Sequence, residues 1–400
     1  MKSRIVSVCL LVLFGLGLGM LASEAVVRMF VPLSDFLWQW DPVIGMKLVP
    51  GKRGRSVKPG LFDVSVSVNS AGFRDREHAI DKPLGVRRVA LLGDSVVEAL
   101  QVPFENSITP LIEDRLQKSG IRSEVINFGV SGAGTAREYL ALRDYALKYR
   151  PDLVLLFFVG NDFGDNTRDL KGVPYIPYPQ LDKDGTLLLD QAGHPLFTPF
   201  EDQVSRLDFF TGILRDYTKS YRLVRETMDT LPPFNSIWAK LWPVNAVGAA
   251  TVQSENSNFG IFEIYRTQPK PQWAKGRRVT EELLLAVRDL AIESGVKFAV
   301  VMVPGAWEVY PKRWEELLDA TPGMRTAAVD VDLPSRNMRQ FLAKHGVQVM
   351  NLLPDFRERS ATAAPLYFSG DGHWTKAGHQ LASDLISAQA ELLLKNSTGR

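Results

Sequence analysis

Five short apolar runs, separated by stretches of helical periodicity, constrain the fold of this chain more than any other feature. The apolar runs cover residues 89–92, 125–128, 153–159, 298–303 and 347–352. Amphipathic stretches cover residues 108–117, 136–149, 279–292, 335–344 and 376–395. Strands that alternate with helices form a mostly parallel sheet with helices on both faces. The sequence therefore predicts a doubly wound α/β domain, which we place at residues 86–400.

One long spacing interrupts this alternation. The third apolar run ends at residue 159, and the next βα unit begins only around Trp273. A single crossover between parallel strands needs far fewer residues, so we predict an insertion at about residues 163–271. Within it, Asp184-Gly185 between two apolar stretches predicts a β-hairpin, and residues 209–228 have helical periodicity.

The N-terminus is apolar behind a basic tip. Residues 5–22 contain no charged side chain, and Lys2 and Arg4 precede them. A helix of this length spans roughly 27 Å, close to the thickness of a bilayer core. Basic residues ahead of the run place the N-terminus in the cytoplasm and the rest of the chain outside. We predict a signal anchor at residues 1–32, with a cleavable signal peptide and a buried core helix as alternatives.

Composition excludes two classes of function. Lys and Arg number 47 against 45 Asp and Glu, and the basic residues are scattered, so we expect no nucleic-acid partner. The single cysteine, Cys9, cannot form an intrachain disulfide, which excludes a small disulfide-stapled scaffold. Residues 33–85, which include “FDVSVSVNSAGFRDRE”, predict a preamble of short strands packed on the α/β domain.

Polar residues stand where an open α/β sheet binds its ligands, at the carboxyl ends of strands. The first three apolar runs lead into Gly93-Asp94-Ser95, “NFGVSG” at 127–132 and Gly160-Asn161-Asp162. Asp371-Gly372-His373-Trp374 precedes the last helical stretch. A serine nucleophile needs a base, an orienting carboxylate and donors for the oxyanion. These parts are present as Ser95, His373, Asp371, the Gly132 N–H and the Asn161 amide.

Several residues of these polar blocks also have a simpler interpretation. Ser95 and Glu98 form the Ser-x-x-Glu pattern of a helix capping box. Residues 129–134 could cradle a phosphate, although their order differs from the dinucleotide fingerprint. Asp162 and Asp165 could hold a divalent ion, but carboxylates near a helix start also suit the helix dipole. No group of residues has metal-ligand spacing, so we predict neither a metal nor another cofactor.

The four polar blocks together resemble the SGNH (GDSL-type) hydrolases. The blocks occur in the family's order as “ALLGDS”, “NFGVSG”, “FVGND” and “DGHW”, within about residues 86–163 and 365–396. The resemblance implies a flavodoxin-like SGNH hydrolase fold with Ser95 as the nucleophile, His373 as the general base and Asp371 as its orienter. It also implies an oxyanion hole formed by the N–H groups of Ser95 and Gly132 and the side chain of Asn161.

The last block departs from the commonest family pattern. Asp371 and His373 are two positions apart instead of three, and Trp374 follows, which is similar to polysaccharide O-acetylesterases and O-acetyltransferases. From this spacing we expect Asp371→Asn to be a mild change. The anchor, “NSAGFRDRE” at 69–77 and the “GDS” block resemble bacterial membrane-anchored members.

The resemblance implies an extracytoplasmic serine ester hydrolase that acts on acyl esters, in particular acetyl esters of a carbohydrate. Two alternatives stay open: an O-acetyltransferase for a cell-envelope polysaccharide, and a non-catalytic glycan-binding module. The aromatic side chains of the insertion either stack on sugar rings or fill a small core of their own. They include Tyr175, Tyr178, Phe197, Trp238 and Trp242.

Overall fold

The N-terminal apolar run forms helix α1 (Lys2–Phe30) in the computed structural model. The structure describes residues 2–173, 176–199, 218–230, 262–321, 323–361 and 364–395. Arg4–Phe30 reaches a mean hydropathy of 2.6 and is long and apolar enough to cross a membrane, judged by length and composition. Its apolar window is not buried against the described part of the chain, so the alternative of a core helix does not fit.

The preamble forms two antiparallel two-stranded sheets. β1 (Trp38–Asp41) pairs with β2 (Gly45–Leu48), and β3 (Arg53–Lys58) pairs with β4 (Phe62–Ser67). Val64 and Val66 are buried while the residues that alternate with them are exposed, as expected for a strand with one face on a core. The prediction of short strands in this segment is confirmed.

The central sheet of the described chain has five parallel strands. They are β5 (Arg87–Leu92), β6 (Ser123–Asn127), β7 (Leu153–Phe158), β8 (Lys297–Met302) and β9 (Gln348–Asn351). Their order across the sheet is β6-β5-β7-β8-β9. Every residue of β7 is buried because helices cover both faces of the sheet. Each strand lies within two residues of its predicted bounds, and the predicted fold class is confirmed.

Twelve further helical segments follow α1 in the described ranges. They are α2 (Ser95–Glu98), α3 (Ile108–Lys118), α4 (Thr135–Asp144), α5 (Asp162–Asp165), α6 (Arg168–Lys171), α7 (Lys219–Thr230), α8 (Pro271–Glu293), α9 (Ala306–Val309), α10 (Pro311–Ala320), α11 (Leu333–Lys344), α12 (Leu353–Ser360) and α13 (Lys376–Lys395). Short 3₁₀ turns occur at Phe104–Asn106, Ala146–Tyr149 and Phe262–Tyr265.

The helices lie in two layers on either side of the sheet. Val89 and Leu91 of β5 share one core with α3 and α13, whereas Ala90 and Leu92 share the other with α4, α8 and α11. This division follows from the alternation of side chains along a strand. Both layers end at the carboxyl edge of the sheet, where the polar blocks lie.

Two helix boundaries differ from the sequence prediction. The predicted helix at 136–149 ends at Asp144 and continues as a 3₁₀ turn, because Tyr145 leaves the helical region with φ −122° and ψ −58°. The predicted helix at 279–292 begins eight residues earlier, at Pro271. Proline suits the first helical position because the N–H that it lacks would have no partner there.

The described part of the insertion contains the predicted hairpin. Leu181 bridges Leu187 around the Asp184-Gly185 turn, and Gly185 has φ +80°, a conformation that favours glycine. Helix α7 covers the second half of the predicted helix, and residues 209–217 lie outside the described residues. The division of the chain at residues 32, 85, 163 and 271 stays a prediction.

Two aromatic residues of the insertion belong to its packing. Tyr178 is buried, and the ring of Phe197 stacks on Tyr139 of α4 with the centroids 5.8 Å apart. Tyr178 therefore fills a core, and the half-buried Phe197 packs against it, which favours the small-core interpretation. Tyr175, Trp238 and Trp242 lie outside the described residues.

Candidate active site

Ser95 is the first residue of α2, directly after β5. Asp94 caps this helix, because its Oδ1 accepts the N–H of Val96 at 2.9 Å. The side chain of Glu98 accepts a hydrogen bond from the Ser131 hydroxyl. The capping-box interpretation of Ser95 and Glu98 is therefore wrong, and the Ser95 hydroxyl is left to contact another residue.

The Ser95 hydroxyl meets His373. The His373 Nε2 lies 2.8 Å from Ser95 Oγ, and His373 Nδ1 lies 2.5 Å from Asp371 Oδ1. Gly372 lies between Asp371 and His373 and has φ +83°. This conformation turns the backbone so that the side chains of Asp371 and His373 face each other. Ser95, His373 and Asp371 thus form one hydrogen-bonded chain, although 278 positions separate Ser95 from His373 in the sequence.

Asp371 is buried and has a second partner. Its side chain is 6% exposed, and its Oδ2 accepts a hydrogen bond from Lys58 Nζ at 2.8 Å. Burial raises the pKa of Asp371, but hydrogen bonds from His373 and Lys58 outweigh it and hold the pKa well below its usual range. Asp371 is consequently an ionised carboxylate at neutral pH, as an orienter of a histidine must be.

The loop after β6 packs against the start of α2. The Val130 N–H donates to Gly93 O at 3.0 Å, and the Asn127 side chain donates to Val97 O at 2.8 Å. A Cβ on Gly129 would lie 2.6 Å from the backbone nitrogen of Glu98, so only glycine allows this approach. The loop is thereby held beside Ser95.

Gly132 lies farther along this loop with φ +68°, which favours glycine. Its carbonyl accepts a hydrogen bond from Arg137 Nη1 at 3.0 Å. Among the described residues, the backbone N–H groups of Ser95 and Gly132 donate to no protein acceptor. Both donors are available to an incoming oxygen.

Asn161 directly precedes α5 and lies three residues after the end of β7. Its Nδ2 lies 3.0 Å from Asp165 Oδ2 and 3.4 Å from Asp94 Oδ2, which places the amide beside the residue that precedes Ser95. Asp165 is also paired with Lys171 at 2.7 Å. The side chain of Asn161 therefore reaches the serine loop.

Two acidic side chains near Asn161, those of Glu138 and Asp162, are buried. Burial raises the pKa of Asp162 and of Glu138, which disfavours the ionised carboxylates that a cation needs. No group of three metal-ligating side chains occurs within the described ranges.

A small pocket, open to solvent, is lined in part by Gly160, next to Asn161. Phe158, Phe163 and Met302 contribute apolar walls, and Glu308 contributes a half-buried carboxyl. Burial raises the pKa of Glu308 to about 7. The site therefore adjoins a mostly apolar space at the carboxyl ends of β7, β8 and β9.

Sequence reasoning missed one contact of this site. Lys58 lies in the preamble, 313 positions before Asp371, and no local pattern marks it. Asp94 was noted only as part of the “GDS” block, and its side chain is both the cap of α2 and a partner of Asn161.

Comparisons with known structures give low identities. An acetyl xylan esterase, AlAXEase, is 14% identical with a TM-score of 0.38, covering 76% of this chain and 98% of its own. TesA is 13% identical with a TM-score of 0.37, covering 77% and 99%. A catalytic mutant of Axe2, an acetylxylan esterase from Geobacillus stearothermophilus, is 13% identical with a TM-score of 0.36, covering 75% and 92%.

Comparisons with protein families are more specific. The SGNH hydrolase-like domain of acetyltransferase AlgX matches residues 262–399, which contain Asp371 and His373. No curated protein sequence matches the chain significantly. The sequence model of the GDSL-like lipase/acylhydrolase family matches residues 91–323, more than half of the chain, which contain Ser95, Gly132 and Asn161. The chain therefore belongs to the GDSL-like lipase/acylhydrolase family.

Proposed function

We propose that this protein is a serine ester hydrolase that acts on acyl esters, in particular acetyl esters of a carbohydrate. The observation that carries the proposal is the hydrogen-bonded chain from Ser95 Oγ through His373 to Asp371, with distances of 2.8 and 2.5 Å. In this arrangement a buried carboxylate orients a histidine, and the histidine activates the serine hydroxyl for acyl transfer.

The proposed mechanism assigns one role to each residue. His373 Nε2 takes the proton of Ser95 Oγ as the oxygen attacks the acyl carbon, while Asp371 holds Nδ1–H. The N–H groups of Ser95 and Gly132 and the Asn161 amide donate to the oxyanion. His373 then returns its proton to the leaving alcohol, and water, deprotonated by the same nitrogen, hydrolyses the acyl-enzyme.

A second candidate function changes only the acceptor. The match of residues 262–399 to an acetyltransferase domain favours an O-acetyltransferase, in which a glycan hydroxyl of the cell envelope replaces water. Exclusion of water from the acyl-enzyme separates the two outcomes. A non-catalytic glycan-binding module is the least favoured, because binding alone does not require an oriented serine and histidine.

The proposed location is the outer side of the cytoplasmic membrane. Within the described ranges, helix α1 is the one helix long and apolar enough to cross a membrane, and Lys2 and Arg4 ahead of its apolar core favour a cytoplasmic N-terminus. The catalytic residues would then face the periplasm or the exterior, where acylated glycans of the envelope occur.

The test is ester hydrolysis by the full-length protein in detergent. We expect acetate release from p-nitrophenyl acetate and from an acetylated xylan, and slower release of longer acyl chains. Ser95→Ala should abolish turnover and leave the melting temperature nearly unchanged, because Asp94, not Ser95, caps α2. Full turnover by a folded Ser95→Ala protein would remove the serine mechanism. Acetate found on an added glycan by mass spectrometry, instead of in solution, would favour the transferase.

A further inference from the structure

Lys58, the last residue of β3, reaches the proposed triad from outside the α/β domain. Its Nζ donates to Asp371 Oδ2 at 2.8 Å and to Gly370 O at 3.3 Å. Asp371 therefore uses one carboxylate oxygen for His373 and the other for Lys58. The Lys58 side chain is 31% exposed, and that of Asp371 is 6% exposed, so the contact is largely removed from solvent.

The hairpin of β3 and β4 is held against the same loop by a second contact. Lys58 pairs with Phe62 across the hairpin, and the ring of Phe62 packs edge-on against Phe368 with the centroids 5.5 Å apart. Phe368 lies three residues before Asp371, and its N–H donates to His373 O at 3.0 Å. Two neighbouring side chains of the hairpin thus contact the short loop that carries the histidine and the carboxylate.

The backbone of β3 next to Lys58 is held by further contacts. Ser34 Oγ accepts the N–H of Val57 at 2.8 Å and donates to its carbonyl at 3.0 Å. The Asp35 N–H donates to Arg55 O at 2.7 Å. These two residues follow α1, which ends at Phe30, so the chain that leaves the membrane helix holds the strand that carries Lys58.

The charges of Lys58 and Asp371 explain why their contact matters before substrate reacts. A buried carboxylate is costly unless a cation or hydrogen bonds compensate it. Before His373 has taken the proton of Ser95, Lys58 is the cation in direct contact with Asp371. A charge-assisted hydrogen bond to Oδ2 also stops the carboxylate from rotating, which keeps Oδ1 on His373 Nδ1.

We propose that Lys58 is a positioning residue of the active site, which the preamble supplies to hold Asp371 in the orientation that His373 requires. The inference rests on the proposed function, because it assumes that Ser95, His373 and Asp371 act together. It makes the hairpin of β3 and β4 a part of the catalytic unit, whereas the sequence indicated only a packed preamble.

The experiment compares three variants of the full-length protein in detergent. Lys58→Met removes the charge and keeps the aliphatic stem, and Lys58→Arg keeps the charge. Arg55→Met is the matched control, because it breaks an ion pair with Asp63 on the same hairpin, away from the triad. The readouts are kcat and KM for p-nitrophenyl acetate, the rate at which a small fluorophosphonate labels Ser95, and the melting temperature.

We expect Lys58→Met to lower kcat and the labelling rate about 10- to 100-fold, with KM changed less than about twofold, as for loss of an orienting interaction. Lys58→Arg should restore most of kcat, and Arg55→Met should behave as wild type. Wild-type kcat in Lys58→Met, or an equal loss in Arg55→Met, would overturn the inference and leave the proposed function intact.

Failure of the proposed function has a different signature. A wild-type protein that neither hydrolyses the ester nor reacts with the fluorophosphonate would overturn the function, and the inference with it. If Lys58→Met does not fold, Lys58→Gln provides the same comparison with a polar neutral side chain. Wild-type kcat in a folded Lys58→Gln protein would then count against the inference.

Discussion

At the scale of single residues, the proposed site depends on the unusual backbone conformation of Gly372. Gly372 adopts φ +83°, which an L-residue with a side chain rarely adopts, and the resulting turn brings Asp371 and His373 face to face. The two-position spacing by itself led us to expect an imperfectly placed carboxylate. The structure differs, because the turn at Gly372 brings Asp371 Oδ1 to 2.5 Å from His373 Nδ1.

Asp371→Asn is therefore expected to be severe. An amide cannot carry the negative charge that stabilises the imidazolium, and it favours the wrong tautomer of His373. We expect kcat to fall by about 10²–10⁴-fold with little change in KM. The measurement is steady-state kinetics on an acetyl ester, with the melting temperature as the folding control. A folded variant that keeps more than a tenth of wild-type kcat would show that His373 needs no ionised partner.

Asn161→Ala tests the oxyanion donor. In the absence of substrate its amide contacts the carboxylates of Asp94 and Asp165, so it is already held beside the serine loop. An oxyanion-hole donor acts mainly in the transition state, and we expect kcat to fall by about 10²–10³-fold. KM should stay nearly constant. An unchanged kcat would mean that the amide only supports the two carboxylates.

Among the elements, the contact between α2 and the loop after β6 decides where the serine lies. The loop approaches the helix so closely that a Cβ on Gly129 would meet Val97 Cβ at 2.7 Å as well as the backbone of Glu98. Because Gly129 has no side chain, the loop after β6 can pack directly against α2. The nucleophile sits at that helix start, so packing and catalysis are linked here.

Gly129→Ala should therefore weaken both the fold and the chemistry. Overpacking of a tight contact costs about 1–3 kcal/mol, and a displaced α2 moves Ser95 away from His373. We expect a lower melting temperature together with a lower kcat. Gly160→Ala is the stability control, because its Cβ would meet only the flexible tip of Ile264, at 3.2 Å. Equal melting temperatures for the two variants would refute the close-contact argument.

For the whole molecule, buried carboxyl groups make stability depend on pH. Glu98 is fully buried, and burial raises its pKa from 4.5 to about 7. Between these values the unfolded chain ionises Glu98 more readily than the folded chain does. The contribution of Glu98 to stability is thus fully present below about pH 4.5 and is lost as the pH rises through about 7.

Glu98→Gln isolates this contribution. The glutamine does not ionise, so the variant should gain stability relative to wild type by about 3 kcal/mol as the pH rises from 4.5 to above 7. Burial lowers the pKa of His379 to about 3, which acts in the opposite sense, but His379 is common to both proteins and cancels. The measurement is the difference in melting temperature at pH 5 and pH 8. A difference that does not change with pH would show that Glu98 ionises normally.

The orientation in the membrane is a second property of the whole molecule. The uncharged run of α1 behind Lys2 and Arg4 predicts that the full-length chain partitions with membranes and that residues after about 33 are exposed outside. External protease added to intact spheroplasts should therefore digest the α/β domain. Protection of that domain would reverse the orientation, and recovery of a soluble domain would favour a cleaved signal peptide.

The sequence by itself determined the α/β class, the membrane-type helix and the residues that meet at one edge of the sheet. Apolar periodicity is a local property, and it located all five strands and the last helix, α13, with few errors. Parallel strands all point their carboxyl ends to one edge, so Ser95 and Asn161, which follow two of them, had to lie near each other. The block before α13 could be placed there by its motif.

Only the tertiary structure decided how these residues are held. The contact of Asn161 with Asp94 joins residues 67 positions apart, and the contact of Lys58 with Asp371 joins residues 313 positions apart. Such contacts depend on the distance between elements after packing, which no local pattern in the chain encodes. The sequence therefore predicted only that the preamble packs on the α/β domain, and the place of Lys58 beside the proposed catalytic carboxylate depends on the packing of the whole chain.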